Sequence, residues 1–264
     1  MKRLLCLFLG LSPTSFALAD DWPQWLGPKR DSIWRETGIL EKFPDGGPKV
    51  LWRAKVSGGF TGPAVAEGKV YVADYLTEGD VAKEVYDRTN FTGKERVHCL
   101  DAKTGAPIWK YEYDCKYTVS YPIGPRCTPT VSGGKVYFLG TEGNLTCLDA
   151  AKGTLVWAKD FNKEYGAKTA MWGYAGHPLV DGKSLFCVVG GEGSCVVAFD
   201  KDTGKELWKA ITAEEQGYSA PTMIEAGGTK QLLVWHASSI NSLDPASGKA
   251  FWKFPLKATD YKMS

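Results

Sequence analysis

Short apolar runs recur along the chain, each introduced by a Gly-containing turn. Gly68-Lys69 leads into Val70-Tyr71-Val72, and Gly134-Lys135 leads into Val136-Tyr137-Phe138. Gly182-Lys183 introduces Leu185-Phe186-Cys187-Val188, and Gly227-Gly228 precedes Leu232-Leu233-Val234. Runs this short, bounded by Gly and rich in aliphatic and aromatic residues, predict buried strands. A proline lies upstream of each (Pro63, Pro129, Pro178, Pro221) and marks the opening of a preceding strand.

Downstream of each run stands the same punctuation: Asp101-x3-Gly105-x3-Trp109, Asp149-x3-Gly153-x3-Trp157, Asp200-x3-Gly204-x3-Trp208 and Asp244-x3-Gly248-x3-Trp252. The Asp carboxylate can accept backbone N–H groups of a tight turn, and the Gly supplies positive φ near its end. The Trp then falls on the next strand. Each unit reads strand A, turn, strand B, loop, strand C, tight turn, strand D. A period of about 45 residues with four strands predicts a β-propeller, so the fold class is all-β. Burying about 150–250 Å² of each Trp against the next blade contributes roughly 4–6 kcal/mol gross, before ordering entropy.

Composition agrees with this. Ten Trp, twelve Tyr and thirty Gly in 264 residues suit strands and tight turns. The net charge of +2 is spread along the chain, with no basic stripe for nucleic acid and no acidic tail. Residues 1–19 read as a leader, with Lys2 and Arg3 before an apolar Leu4–Leu11 and a small-residue site at Ala17-Leu18-Ala19. Cys6 precedes most of that run, which argues against a lipid anchor. The expected mature chain starts at Asp20 and is periplasmic or secreted. The expected organisation is leader 1–19, extension 20–49 and propeller 50–264.

Export places six cysteines in an oxidising setting, and Cys115–Cys127, flanking one loop, is the pair to test first. Cys99 and Cys147 hold one repeat position and read as small buried residues kept apart by neighbouring blades.

Ala198-x-Asp200-x-x-Thr203-Gly204-Lys205-x-x-Trp208 resembles the tryptophan-docking motif of pyrroloquinoline-quinone (PQQ)-like repeat propellers, within the quinoprotein alcohol dehydrogenase-like superfamily. The other repeats carry Cys99, Cys147 and Ser242 in place of the Ala. The segment Asp21-Trp22-Pro23-Gln24-Trp25-Leu26-Gly27-Pro28 also resembles the start of exported bacterial members. The resemblance implies that Trp52, Trp109, Trp157, Trp208 and Trp252 pack between neighbouring blades, with Gly105, Gly153, Gly204 and Gly248 as further structural residues of the docking motif. It also implies rings of seven or eight blades. Val50-Leu51-Trp52-Arg53 reads as strand D of a preceding blade, so four blades plus a partial one are expected from a truncated ring. Missing blades or a partner would close it.

Antiparallel strands put the B–C and D–A connections on one face. There lie a blade-one loop from Leu76 to Glu95, with Tyr86, Arg88 and Phe91, and connections carrying Tyr113, Tyr117, Tyr121, Arg126, Phe161, Tyr165, Trp172 and Tyr174. Long loops on a rigid scaffold carry binding, and Arg126, Trp172, Tyr174 and His177 are the preferred ligand-binding candidates. The first reading is a non-catalytic binding or assembly scaffold for a protein or glycan ligand. The resemblance also implies an alternative, a PQQ-dependent dehydrogenase of alcohols or sugars, with calcium. No adjacent Cys-Cys pair, nucleophile elbow or phosphate loop is present in the sequence, so no catalytic residue is assigned. His98, His177 and His236 have no paired metal spacing, and Asp200-Lys201-Asp202 reads as turn chemistry.

Overall fold

The computed structural model describes residues 20–81 and 86–256. Sixteen strands form four four-stranded antiparallel sheets, each ordered as the chain runs. Blade one holds β1 (Ala64–Ala66), β2 (Lys69–Leu76), β3 (Phe91–Asp101) and β4 (Pro107–Tyr117). Blade two holds β5 (Thr130–Ser132), β6 (Lys135–Leu139), β7 (Asn144–Asp149) and β8 (Leu155–Asp160). Blade three holds β9 (Leu179–Asp181), β10 (Ser184–Val188), β11 (Val196–Asp200) and β12 (Glu206–Ala210). Blade four holds β13 (Thr222–Ala226), β14 (Thr229–His236), β15 (Ser239–Leu243) and β16 (Ala250–Pro255). The four apolar runs all fall on B strands, and every named proline immediately precedes an A strand.

The repeat's turn chemistry is uniform. Asp101, Asp149, Asp200 and Asp244 each accept a backbone N–H two residues on through Oδ1 at 3.0–3.1 Å. The N–H groups of Gly105, Gly153, Gly204 and Gly248 return to the carbonyls of the same Asp residues at 2.8 Å, with φ of 70–72°. A register shift follows Cys99, Cys147, Ala198 and Ser242 alike. This bulge re-aims strand D at the same place in each blade.

The tryptophans tie one blade to the next. The Trp109 indole donates to the Ala150 carbonyl at 3.0 Å, Trp157 to Lys201 at 3.1 Å and Trp208 to Pro245 at 3.0 Å. Their rings lie so close over Gly153, Gly204 and Gly248 that a Cβ there would meet ring carbons at 2.5–2.7 Å. Trp52 docks likewise on Gly105 and donates to Ala102 at 3.0 Å. However, residues 50–53 form no strand, so the expected D strand is corrected to an irregular segment whose Trp52 keeps the docking contact. Trp252 also departs from the expectation. It is 43% exposed, and its N–H goes to Gln231 of its own blade.

Between blades the core is apolar. Tyr71, Val97, Val136 and Phe138 fill the first junction, Tyr137, Leu145, Leu185 and Phe199 the second, and Phe186, Val196, Leu232 and Val234 the third. Cys99 lies in the first cluster and Cys147 in the second. All six cysteines of the described chain are buried and free, so the expected Cys115–Cys127 pairing is corrected. Cys115 packs with Tyr75 and Tyr117, whereas Cys127 faces the junction of blades two and three.

Three loop assignments also change. β3 already begins at Phe91, which shortens the long blade-one loop, and Tyr113 and Tyr117 sit on β4 itself. Both hydroxyls donate to the Glu95 carboxylate, which also accepts the Thr141 amide of blade two at 2.8 Å. Phe161 and Tyr165 belong to a one-turn helix, α1 (Phe161–Tyr165), capped by the Asp160 side chain and ended by Gly166 at φ 62°. No helix among the described residues is long and apolar enough to cross a membrane.

Candidate functional site

The third residue before each strand-opening proline is Phe60, Arg126, Ala175 or Tyr218. All four line one cavity of about 530 Å³ at the hub, with Tyr121, Trp172 and Trp235. The residue immediately before each proline is Gly62, Thr128, His177 or Ala220. These line two adjoining cavities of about 570 and 560 Å³, to which Trp25 also contributes. Equivalent repeat positions therefore converge on the hub in two tiers. That spacing was the available signal for Phe60 and Tyr218.

Two of the candidates, Arg126 and Trp172, meet at this cavity. The Arg126 Nε–H donates to the Trp172 carbonyl at 2.8 Å, and its Nη2 donates to the carbonyls of Ser120 at 3.0 Å and Tyr121 at 2.7 Å. Nη1 donates to the Gly124 carbonyl, and the guanidinium lies 5.2 Å from the Phe60 ring centroid. Burial lowers its pKa. The cation therefore fixes three loop segments, and its partners are neutral oxygens. Trp172 packs on Tyr218 with ring centroids 5.3 Å apart, and its amide approaches the Tyr218 hydroxyl at 3.4 Å.

His177 lies in the adjoining tier, stacked on Trp25 at 4.7 Å and 18°. Burial, and then the positive charge of Arg30, push its pKa down to about 4. Tyr174, the fourth candidate, does not reach the cavity. It is 2% exposed, packs against Phe161 and donates its hydroxyl to the Val189 carbonyl at 2.7 Å. Trp235 was missed because it is a strand residue. It occupies the B-strand position filled in the other blades by the buried residues Ala73, Leu139 and Val188, yet is itself 37% exposed.

The lowered His177 value carries a stability consequence. An unfolded His titrates near 6.5, so between about pH 6.5 and 4 the unfolded chain binds the extra proton. Stability contributed by neutral His177 is complete above that window and falls as the pH drops through it, by at most about 3 kcal/mol. Urea midpoints at pH 7 and pH 4.5 should show this loss, and His177→Phe, which keeps a stacking ring, should flatten it.

The other two histidines have structural partners. His98 contacts Asp74 at 3.0 Å, and His236 contacts Ser239 at 2.7 Å. Among the described residues no three His, Cys, Asp or Glu side chains converge as a metal site. The buried Glu95 carboxylate is filled by Tyr113, Tyr117 and Thr141. The aromatic walls thus fit a flat ring system, while the carboxylates of the described residues do not assemble a calcium set.

Four repeated blades around an aromatic hub define a β-propeller protein. A family model described as outer membrane protein assembly factor BamB matches residues 93–264, and the chain belongs to this family of PQQ-like repeat propellers. It is 25% identical over 226 residues to the outer membrane protein assembly factor BamB of Burkholderia pseudomallei, covering 71% of this chain and 54% of that protein. It is 30% identical over 125 residues to a quinohemoprotein alcohol dehydrogenase of Pseudomonas putida, covering 44% of this chain and 17% of that one. The solved quinohemoprotein alcohol dehydrogenase of Comamonas testosteroni superposes with a TM-score of 0.58 at 19% identity, over 89% of this chain and 41% of that chain. The chain thus spans about half or less of the length of these relatives, and the structural likeness concerns the fold.

Proposed function

We propose that this chain is an exported binding or assembly scaffold whose loop face engages a polypeptide, with the hub cavity receiving an apolar or aromatic side chain. The observation that carries this reading is the cavity wall. Phe60, Tyr121, Trp172, Tyr218 and Trp235 surround about 530 Å³, while Arg126 turns its donors into the backbone. Aromatic walls with few free polar groups suit an anchor residue, the element that dominates protein interfaces. Similarity to an assembly factor over 71% of the chain supports the same class. Residues 1–19 would direct export. Additional blades or a partner chain would cover the outer face of blade four, where Trp252 and Phe254 are exposed.

The second reading is a PQQ-dependent dehydrogenase, supported by the quinohemoprotein relatives and by the flat aromatic walls. PQQ, when bound, would supply two-electron chemistry. The residues here would provide stacking surfaces, and no proton-transfer group is assigned to them.

One experiment separates the two. A photo-crosslinker at exposed Phe60 is expected to capture an envelope polypeptide, and Ala175→Trp, which fills the cavity, should abolish that capture. Trp235→Ala should weaken binding of the identified partner by about tenfold or more, as loss of an aromatic anchor does. A saturable rise in melting midpoint with PQQ and Ca²⁺, without cavity-dependent crosslinking, would instead establish the dehydrogenase reading.

A further inference from the structure

We propose that Trp22–Arg30 is a strap that joins the four blades beside the hub cavity, with Trp25 as a wall of the two adjoining cavities and Arg30 as the positioning residue. What the cavity binds rests on the reading above, but the strap itself does not.

The segment touches all four blades in turn. Trp22 exchanges two backbone hydrogen bonds with Val65 of β1, at 2.8 and 2.9 Å. The Pro23 carbonyl accepts the Val131 amide of β5 at 2.8 Å. Trp25 stacks on His177, which leads into β9. Arg30 then donates to the carbonyls of His177 at 3.4 Å, Pro178 at 3.0 Å and Pro221 at 3.3 Å, so one guanidinium joins blades three and four. The same guanidinium lies 5.4 Å from the Trp25 ring centroid and reaches Gln24 Oε1 at 3.4 Å. Burial lowers its pKa to about 10, which leaves it charged at neutral pH.

The backbone is bent to make this possible. Leu26, Arg30 and Ser32 have φ of 63°, 53° and 57°, a left-handed region that side-chain-bearing residues rarely adopt. Gly27, at φ 80°, lies so close to Trp22 that a Cβ would meet the indole at 2.9 Å. Strain of this kind persists only where surrounding contacts over-determine it. Here those contacts are the inner strands of two sheets and the residues that lead into the inner strands of the other two. Because Trp25 lines both cavities that adjoin the hub cavity, the strap sets their shape as well as the blades' spacing.

Native-state amide exchange on the full chain, without ligand, tests the strap. In the unaltered protein the amides of Trp22, Val65 and Val131 are expected to exchange through one shared opening, with rates within about threefold of one another. Arg30→Met should accelerate all three by about tenfold or more, although Arg30 itself touches only blades three and four. It should also abolish the nuclear Overhauser contact between the Trp25 and His177 rings. Acceleration confined to Leu179 and Thr222, beside the carbonyls that Arg30 caps, would overturn the strap. So would survival of the Trp25–His177 contact in Arg30→Met. Should that variant fail to fold, independent opening of Trp22 and Val131 in the unaltered protein would overturn it equally.

Discussion

Replacing Gly153 with valine is expected to destabilise the protein by about 4 kcal/mol, one of the largest effects of any single substitution in the repeat. Two costs combine. Gly153 has φ 70°, where a β-branched residue is strained by about 1–2 kcal/mol. A Cβ there would also sit 2.5 Å from Cδ2 of Trp109, so the indole must leave its seat and its bond to Ala150. Gly134 supplies the control, because it has φ 71° but nothing within 4 Å of an added Cβ. Gly134→Val should therefore show the backbone cost alone, about 1–2 kcal/mol. Urea unfolding of the two variants measures the difference, which is the worth of one inter-blade tryptophan. Equal destabilisation would mean that the indole repacks freely and that the repeat's Gly serves only its turn.

That contrast also explains what the chain's pattern makes legible. The Asp-x3-Gly-x3-Trp unit is local chemistry: a carboxylate accepting the amide two residues on and a glycine at positive φ, repeated four times. Such a unit can be read without knowing what surrounds it. The hub is different, because Phe60, Arg126, Ala175 and Tyr218 come from four separated connections and share only an offset from a proline. Their side chains are chemically unrelated, so similarity between repeats does not reveal them. Trp235 is legible only through register, as a large ring where other blades carry Ala73, Leu139 and Val188. Tyr113 and Tyr117 were misplaced in a loop because β4 runs to Tyr117, paired with Phe91, well beyond the other D strands. What extends it is the Glu95 carboxylate, which gathers both tyrosines and Thr141, a contact distant in sequence. Tyr174 approaches the right region, but its hydroxyl finds Val189, and the ring is drawn into the core.

Asp74 carries the second large effect, because it holds the approach to blade one from inside β2. Its carboxylate is fully buried and accepts from Arg96 Nε at 2.8 Å, Arg96 Nη2 at 2.6 Å and the Ser57 amide at 2.6 Å. Burial alone would raise its pKa, but the hydrogen bonds from His98, Arg96 and Ser57 outweigh it and hold the group below the usual carboxylate range. Asp74→Ala leaves Arg96 without its carboxylate and with only the Ser57 hydroxyl at 3.1 Å, and is expected to cost about 3–5 kcal/mol, the range for breaking a buried pair from one side. The loss should spread into the hub. Ser57 precedes the Gly58–Tyr75 bridge, and the Phe60 amide that follows bonds the Pro125 carbonyl beside Arg126. Freed at Ser57, this segment no longer fixes Phe60 in the cavity wall or Trp52 on Gly105. The pH dependence has a definite sign. A carboxylate held low when folded contributes its full stability above the unfolded value of about 4 and loses it as the pH falls through the folded value. Asp74→Asn should therefore be strongly destabilised relative to the unaltered protein at pH 7, and the gap should narrow at pH 2.5. Urea midpoints at the two pH values measure it, and a gap that stayed constant would show that the Asp74 charge does not anchor the segment.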